Sequence, residues 1–182
     1  MSVMEFILVA HAILVGLGVA EVLRGLGDLI RSKPINVSWR LLGIAIWVLL
    51  LLFELWWVMW NIRDREEWLF LEFLLLLLPV VILYLVARIS FPSTTEGADL
   101  KHYYGQICGA MWLLVACVYI SFILLQPVLY GAFNPPLIAS QLVIVVPAIA
   151  VTKVRVRWLD QIIIIAMLAQ VSWRGILLTV GS

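Results

Sequence analysis

Charge is scarce in this chain. Aspartate, glutamate, lysine and arginine make up 13% of its 182 residues, roughly half the share of an ordinary globular domain. The net charge of +1 gives no electrostatic footing for a nucleic-acid partner. Only two histidines occur, His11 and His102. They fall on opposite sides of the bilayer in the topology below, so one haem iron could not take both as axial ligands. The three lysines that border the apolar stretches, Lys33, Lys101 and Lys153, all lie at connections, which excludes a retinal-type Schiff base within a span. Cys108 and Cys117 lie nine apart in one apolar run. On a helix that spacing cannot join two thiols of one chain, and it matches no metal spacing, so both read as small apolar residues. No span carries arginines at every third position, as a voltage sensor would. No hydrolase or phosphate-site spacing occurs, and no membrane-embedded Ser–His pair lies on one helix. No cofactor, no metal and no enzymatic activity are expected.

Apolar residues are what the chain has: 65% are hydrophobic. A small soluble domain leaves about two-fifths of its surface wet, so this excess cannot be hidden in a soluble particle, and a disordered chain is equally excluded. The fold class expected is all-α, a polytopic membrane protein built as a compact bundle of about six transmembrane helices, with residues 1–182 forming a single integral membrane domain. Met1–Glu5 has no basic n-region, so the first apolar stretch reads as a membrane helix and not as a cleavable signal.

About 20 mostly apolar residues cross the hydrocarbon core as a helix. Spans are expected at about 3–30, 41–60, 68–88, 102–128, 137–152 and 158–180. Turn-like or charged segments separate them, such as Arg63-Asp64-Arg65-Glu66-Glu67 and Phe133-Asn134-Pro135-Pro136. None is long enough to be a soluble domain, so any activity sits in or at the bilayer. One set of loop ends holds Arg31, Lys33, Arg40, Arg88, Lys101, Lys153, Arg155 and Arg157; the other holds Arg63 and Arg65, with Arg174 near the last helix end. Eight against two or three places the first, third and fifth connections in the cytoplasm and both termini outside, in an inner or plasma membrane of bacterial type.

A charge at the bilayer centre costs roughly 2.5–3.5 kcal/mol on the insertion scale, so each embedded ionisable group needs a reason. At about 100° per residue, Gly18 and Gly25 lie about 20° and 40° from His11, and Glu21 and Asp28 about 80° and 100° away on the same side. Arg24 borders this arc within reach of Glu21 and Asp28. The arc is either a packing face with a structural Glu21–Arg24–Asp28 cluster or one wall of a water-filled route. Matched depths put His11, Glu54, Glu72 and Arg174 together in the outer half of the membrane. An arginine there needs a carboxylate, which Glu54 or Glu72 would supply, leaving either a structural ion pair or a site that handles protons or ions. Asp160 reads as a helix-start acid near Arg155 and Arg157.

Nine tryptophans are many for this length. Trp39, Trp60, Trp68 and Trp158 suit interfacial anchors; the dense run from Glu54 to Trp60 is either belt plus packing or an aromatic wall beside Glu54, and Trp47, Trp56 and Trp57 would line a site for a small hydrophobic ligand. The two halves are faintly alike: His11-x6-Gly18 against His102-x6-Gly109, and Glu67-Trp68-Leu69 against Arg157-Trp158-Leu159. A duplication of three spans would be an inverted repeat. Three functions fit. The first is a small channel or transporter for protons or small cations, with His11, Glu21, Glu54, Glu72 and Arg174 on its route. The second is a sensor or scaffold that packs against lipid or a partner membrane protein. The third is a binder of a small hydrophobic ligand at the tryptophan wall. Membrane lipid is the expected surrounding, and a bundle this small is expected to assemble as a homo-oligomer.

Overall fold

The computed structural model describes residues 3–32, 36–93, 97–153 and 157–180, with the side chains of 157 and 175–180 left aside. The described residues form six helices: α1 (Val3–Ser32), α2 (Trp39–Asn61), α3 (Phe70–Ser90), α4 (Leu100–Tyr130), α5 (Pro135–Lys153) and α6 (Arg157–Val180). The first five are long and apolar enough to cross a membrane. α6 is less apolar because it carries Asp160, Gln161, Gln170 and Arg174. Lys33 and Arg155, used above to orient the chain, lie outside the described residues.

Helix ends follow local chemistry. The Asp99 side chain accepts from the backbone N–H groups of Lys101 and His102 at 2.9 and 3.0 Å, satisfying donors that the first turn of α4 leaves open. Gly131 ends α4 at φ 74°, a left-handed conformation that glycine adopts without steric cost. Pro135 opens α5, where a missing N–H costs nothing. α3 begins at Phe70, two residues later than the apolar pattern suggests, because Glu72 reaches back to the Leu69 N–H at 2.9 Å.

Contacts between helix ends fix the alternation. The Asn36 amide donates to Asp99 Oδ2 at 2.8 Å, and its carbonyl accepts from Leu100 N–H at 3.1 Å. Arg88 at the end of α3 reaches Glu21 of α1 at 3.0 Å. These contacts define one end of the bundle, called here the basic end, where Arg31, Arg40, Lys101 and Lys153 also lie. At the opposite end the Arg65 guanidinium donates to the Val128 carbonyl at 3.1 Å.

α2 packs against α1, α3, α4 and α6 and so lies at the centre; α5 covers α4 and α6 from the other side. The glycine arc of α1 is a close-packing face. A Cβ on Gly18 would meet Leu52 at 2.9 Å, and one on Gly25 would overlap the Phe91 ring. The three-helix halves pack differently: α1 lies closely against α3, whereas the backbones of α4 and α6 do not approach closely among the described residues and meet only through side chains. The paired motif differs too. His11 is fully buried and His102 exposed, and Gly109 faces open space where Gly18 is filled.

Candidate functional site

α6 presents one buried stripe. Asp160, Ile163, Ile164, Met167 and Val171 are buried, and with Gln170 and Arg174 they span an arc of about 120° on an ideal helix. Each polar member of the stripe meets a partner on α2 or α4. Tyr104 donates to Asp160 Oδ2 at 3.0 Å, and Trp112 Nε1 donates to the Tyr104 hydroxyl at 3.0 Å. Tyr119 donates to Gln170 Oε1 at 2.9 Å. Arg174 Nη2 donates to Glu54 Oε2 at 3.0 Å. A seam of polar and aromatic groups therefore runs between α2, α4 and α6 from the basic end to the other.

The α4 wall of this seam repeats at helical spacing: Tyr104, Cys108, Trp112, Val115, Tyr119, Phe122 and Gln126. Steps of three and four keep these residues on one face. Trp47 of α2 stacks on Tyr119, with ring centroids 6.0 Å apart and planes at 14°. Phe122 meets the Tyr119 ring edge to face at 6.2 Å and lies 5.8 Å from the Arg174 guanidinium carbon.

A cavity opens at each end of the seam. The one away from the basic end holds about 330 Å³ and is lined by Glu54 and Arg174, by Gln126 and Gln141, and by apolar side chains including Leu51 and Leu125. Gln126 Nε2 donates to Gln141 Oε1 at 3.1 Å, and Gln126 Oε1 accepts from Asn134 N–H at 2.9 Å. The second, at the basic end, holds about 660 Å³ and reaches Arg40, Lys101, Tyr104, Cys108 and Asp160. Trp47, Trp112 and Tyr119 lie between them, each with 0% exposure. On α4 one cavity stops at Cys108 and the other starts at Phe122, a closed stretch of roughly 14 residues or 21 Å.

The residues singled out by sequence fall in several places. Glu54 and Arg174 are together on the seam. Glu72 pairs with Arg65, which also donates to the Glu67 carbonyl at 3.0 Å and stacks on Trp68 with its guanidinium carbon 4.6 Å from the ring centroid. Glu21 sits at the basic end, bound to Arg24 at 2.6 Å and to Arg88 at 3.0 Å, while Arg24 and Arg31 each hold Asp28 at 3.1 Å. His11 is buried on the α1 side of α2, its ring 6.5 Å from that of Trp56. Trp56 and Trp57 point outward, 46% and 52% exposed, while Trp47 is in the core. Trp47 and Trp56 are nine residues apart, half a turn out of phase on a helix, so the three rings do not share a wall. Asp160 is held by Tyr104; Arg155 lies outside the described residues, as does the Arg157 side chain.

Sequence reading passed over Tyr104, Trp112, Tyr119, Gln126 and Gln141. The stripe of hydrogen-bonding side chains along α4 was the available signal. No group of metal-binding side chains occurs among the described residues. Comparison with family models, with curated proteins and with solved structures found no match.

Proposed function

We propose that this multi-pass membrane protein is a small transporter or channel whose solute moves along the seam between α2, α4 and α6. The observation that supports this reading is the pair of cavities at opposite ends of one polar seam, with three fully buried aromatic residues between them. A route that is wide at both ends and closed in the middle is the resting form of a gated pathway. Both cavities lie within one chain, so the route needs no second copy. The basic end is taken as cytoplasmic.

Charge arithmetic suggests the solute. The cavity away from the basic end has one carboxylate and one guanidinium, already paired. A charged solute there would break the pair or stay unpaired in a medium of low dielectric, at a cost of several kcal/mol. A net-neutral solute can use the amides of Gln126 and Gln141 and leave the pair intact. Proton movement through Glu54 is the second reading, favoured by Glu54 being the acid on that cavity's wall.

Reconstitution in liposomes separates these readings. Glycerol or urea should swell vesicles holding the protein faster than empty ones, and Tyr119→Ala, which shortens the aromatic block, should speed swelling further. If neither the wild type nor this variant moves solute, the transport reading fails. Proton flux seen with a trapped pH dye, and lost in a folded Glu54→Gln variant, would favour the second reading. Silence in both assays would leave a sensor or scaffold.

A further inference from the structure

The cavity at the basic end has a chemistry of its own. Two cationic side chains, Arg40 and Lys101, border it beside the first turns of α2 and α4. Asp160 is 5% exposed and lines the same space. Its Oδ2 accepts from Tyr104, while its Oδ1 has no hydrogen-bond partner among the described residues. A buried acceptor without a donor is costly, and a donor arriving from the cavity would satisfy it. Two basic side chains and a buried carboxylate oxygen without a donor line this one cavity, and together they call for a ligand with an anionic group next to a hydrogen-bond donor.

Position and shape narrow the class. The cavity lies at helix ends, where headgroups sit, and Trp39 on its wall is 45% exposed, as an interfacial anchor would be. Its volume of about 660 Å³ is within the range of about 300–1,000 Å³ typical of small-molecule sites. Gly105 lies on the wall inside α4, and a Cβ there would meet nothing within 4 Å.

We propose that this cavity binds the headgroup of a membrane phospholipid whose phosphodiester carries a hydrogen-bond donor, such as an ethanolamine ammonium or a glycerol hydroxyl. The phosphate lies toward Arg40 and Lys101, and the donor meets Asp160 Oδ1. The site does not depend on transport, since a headgroup can bind where no solute moves.

Equilibrium binding to the detergent-purified full chain tests it, using short-chain phosphatidylethanolamine, phosphatidylglycerol and phosphatidylcholine, and water-soluble phosphoethanolamine. The first two should bind about tenfold more tightly than phosphatidylcholine, whose quaternary ammonium has no N–H donor. Lys101→Gln should weaken binding about fivefold. Gly105→Leu should abolish it by filling the cavity, and Gly105→Ala should retain it and serve as the folding control. Phosphoethanolamine binding as tightly as the short-chain lipid would overturn the lipid assignment in favour of a soluble phosphate ester. Equal binding of all three lipids, or binding unchanged by both Lys101→Gln and Gly105→Leu, would overturn the site itself.

Discussion

Arg174 of α6 and Glu54 of α2 meet at 3.0 Å across 120 positions of sequence, with only 22% and 14% of their side chains exposed. This is the ion pair that ties α6, the least apolar helix, to the centre of the bundle. Removing one partner leaves the other charge uncompensated. Arg174→Ala should therefore lower stability by about 3 kcal/mol, near the low end for buried pairs because a cavity borders this one. Replacing both, Glu54→Gln with Arg174→Met, should recover most of that loss. Denaturation in mixed micelles, run as a double-mutant cycle, gives the coupling directly. Additive losses would mean that the pair contributes nothing.

The glycines of α1 divide by what faces them. Gly25 lies against the Phe91 ring, and Phe91 is itself 4% exposed and cannot swing away. Gly25→Ala should cost about 1–3 kcal/mol through overpacking. Gly16 has nothing within 4 Å of a Cβ, so Gly16→Ala should leave stability unchanged or raise it by up to about 1 kcal/mol. Thermal unfolding of the two variants side by side checks the contrast, and equal effects would contradict the packing described.

Asp99 provides a pH-dependent contact outside the membrane. Its carboxyl is held below the usual carboxylate range, first by the His102 backbone N–H and then by the Asn36 amide and the Lys101 N–H. A group whose pKa is lower folded than unfolded stabilises above its unfolded pKa, about 3.9, and loses that effect as pH falls through the folded value. Asp99→Ala should therefore lower the melting temperature at pH 7, and the difference should shrink steadily as the pH is taken well below 4. A difference that persists unchanged in acid would show that the cap acts without its charge.

Much of the architecture was legible in apolar run lengths alone. Each helix ends within two residues of its expected bounds, because hydropathy and loop chemistry act locally. The Glu21–Arg24–Asp28 cluster was legible for the same reason, its members being one turn apart. Arg88 joins it from α3, and that contact could not be read without knowing that α1 and α3 are neighbours. Depth matching narrowed the partner of Arg174 to two acids but could not choose between them. The choice depends on which helices touch: α6 packs on α2 and not on α3, and Arg65 in the α2–α3 connection takes Glu72. Helical phase would have separated Trp47 from Trp56. Weight given to rare ionisable residues drew attention from the α4 stripe, where the polar groups are uncharged amides, phenols and an indole.

The claim on which the functional reading rests is that two cavities face opposite sides of the membrane with a closed aromatic stretch between them. Single-cysteine variants in a background without Cys108 and Cys117 test it in sealed vesicles of known orientation, using a membrane-impermeant maleimide. Gly105→Cys should label only from the side of the basic end, Val58→Cys only from the opposite side, and Val115→Cys from neither. Labelling of Gly105→Cys and Val58→Cys from the same side, or ready labelling of Val115→Cys in the resting protein, would contradict the account.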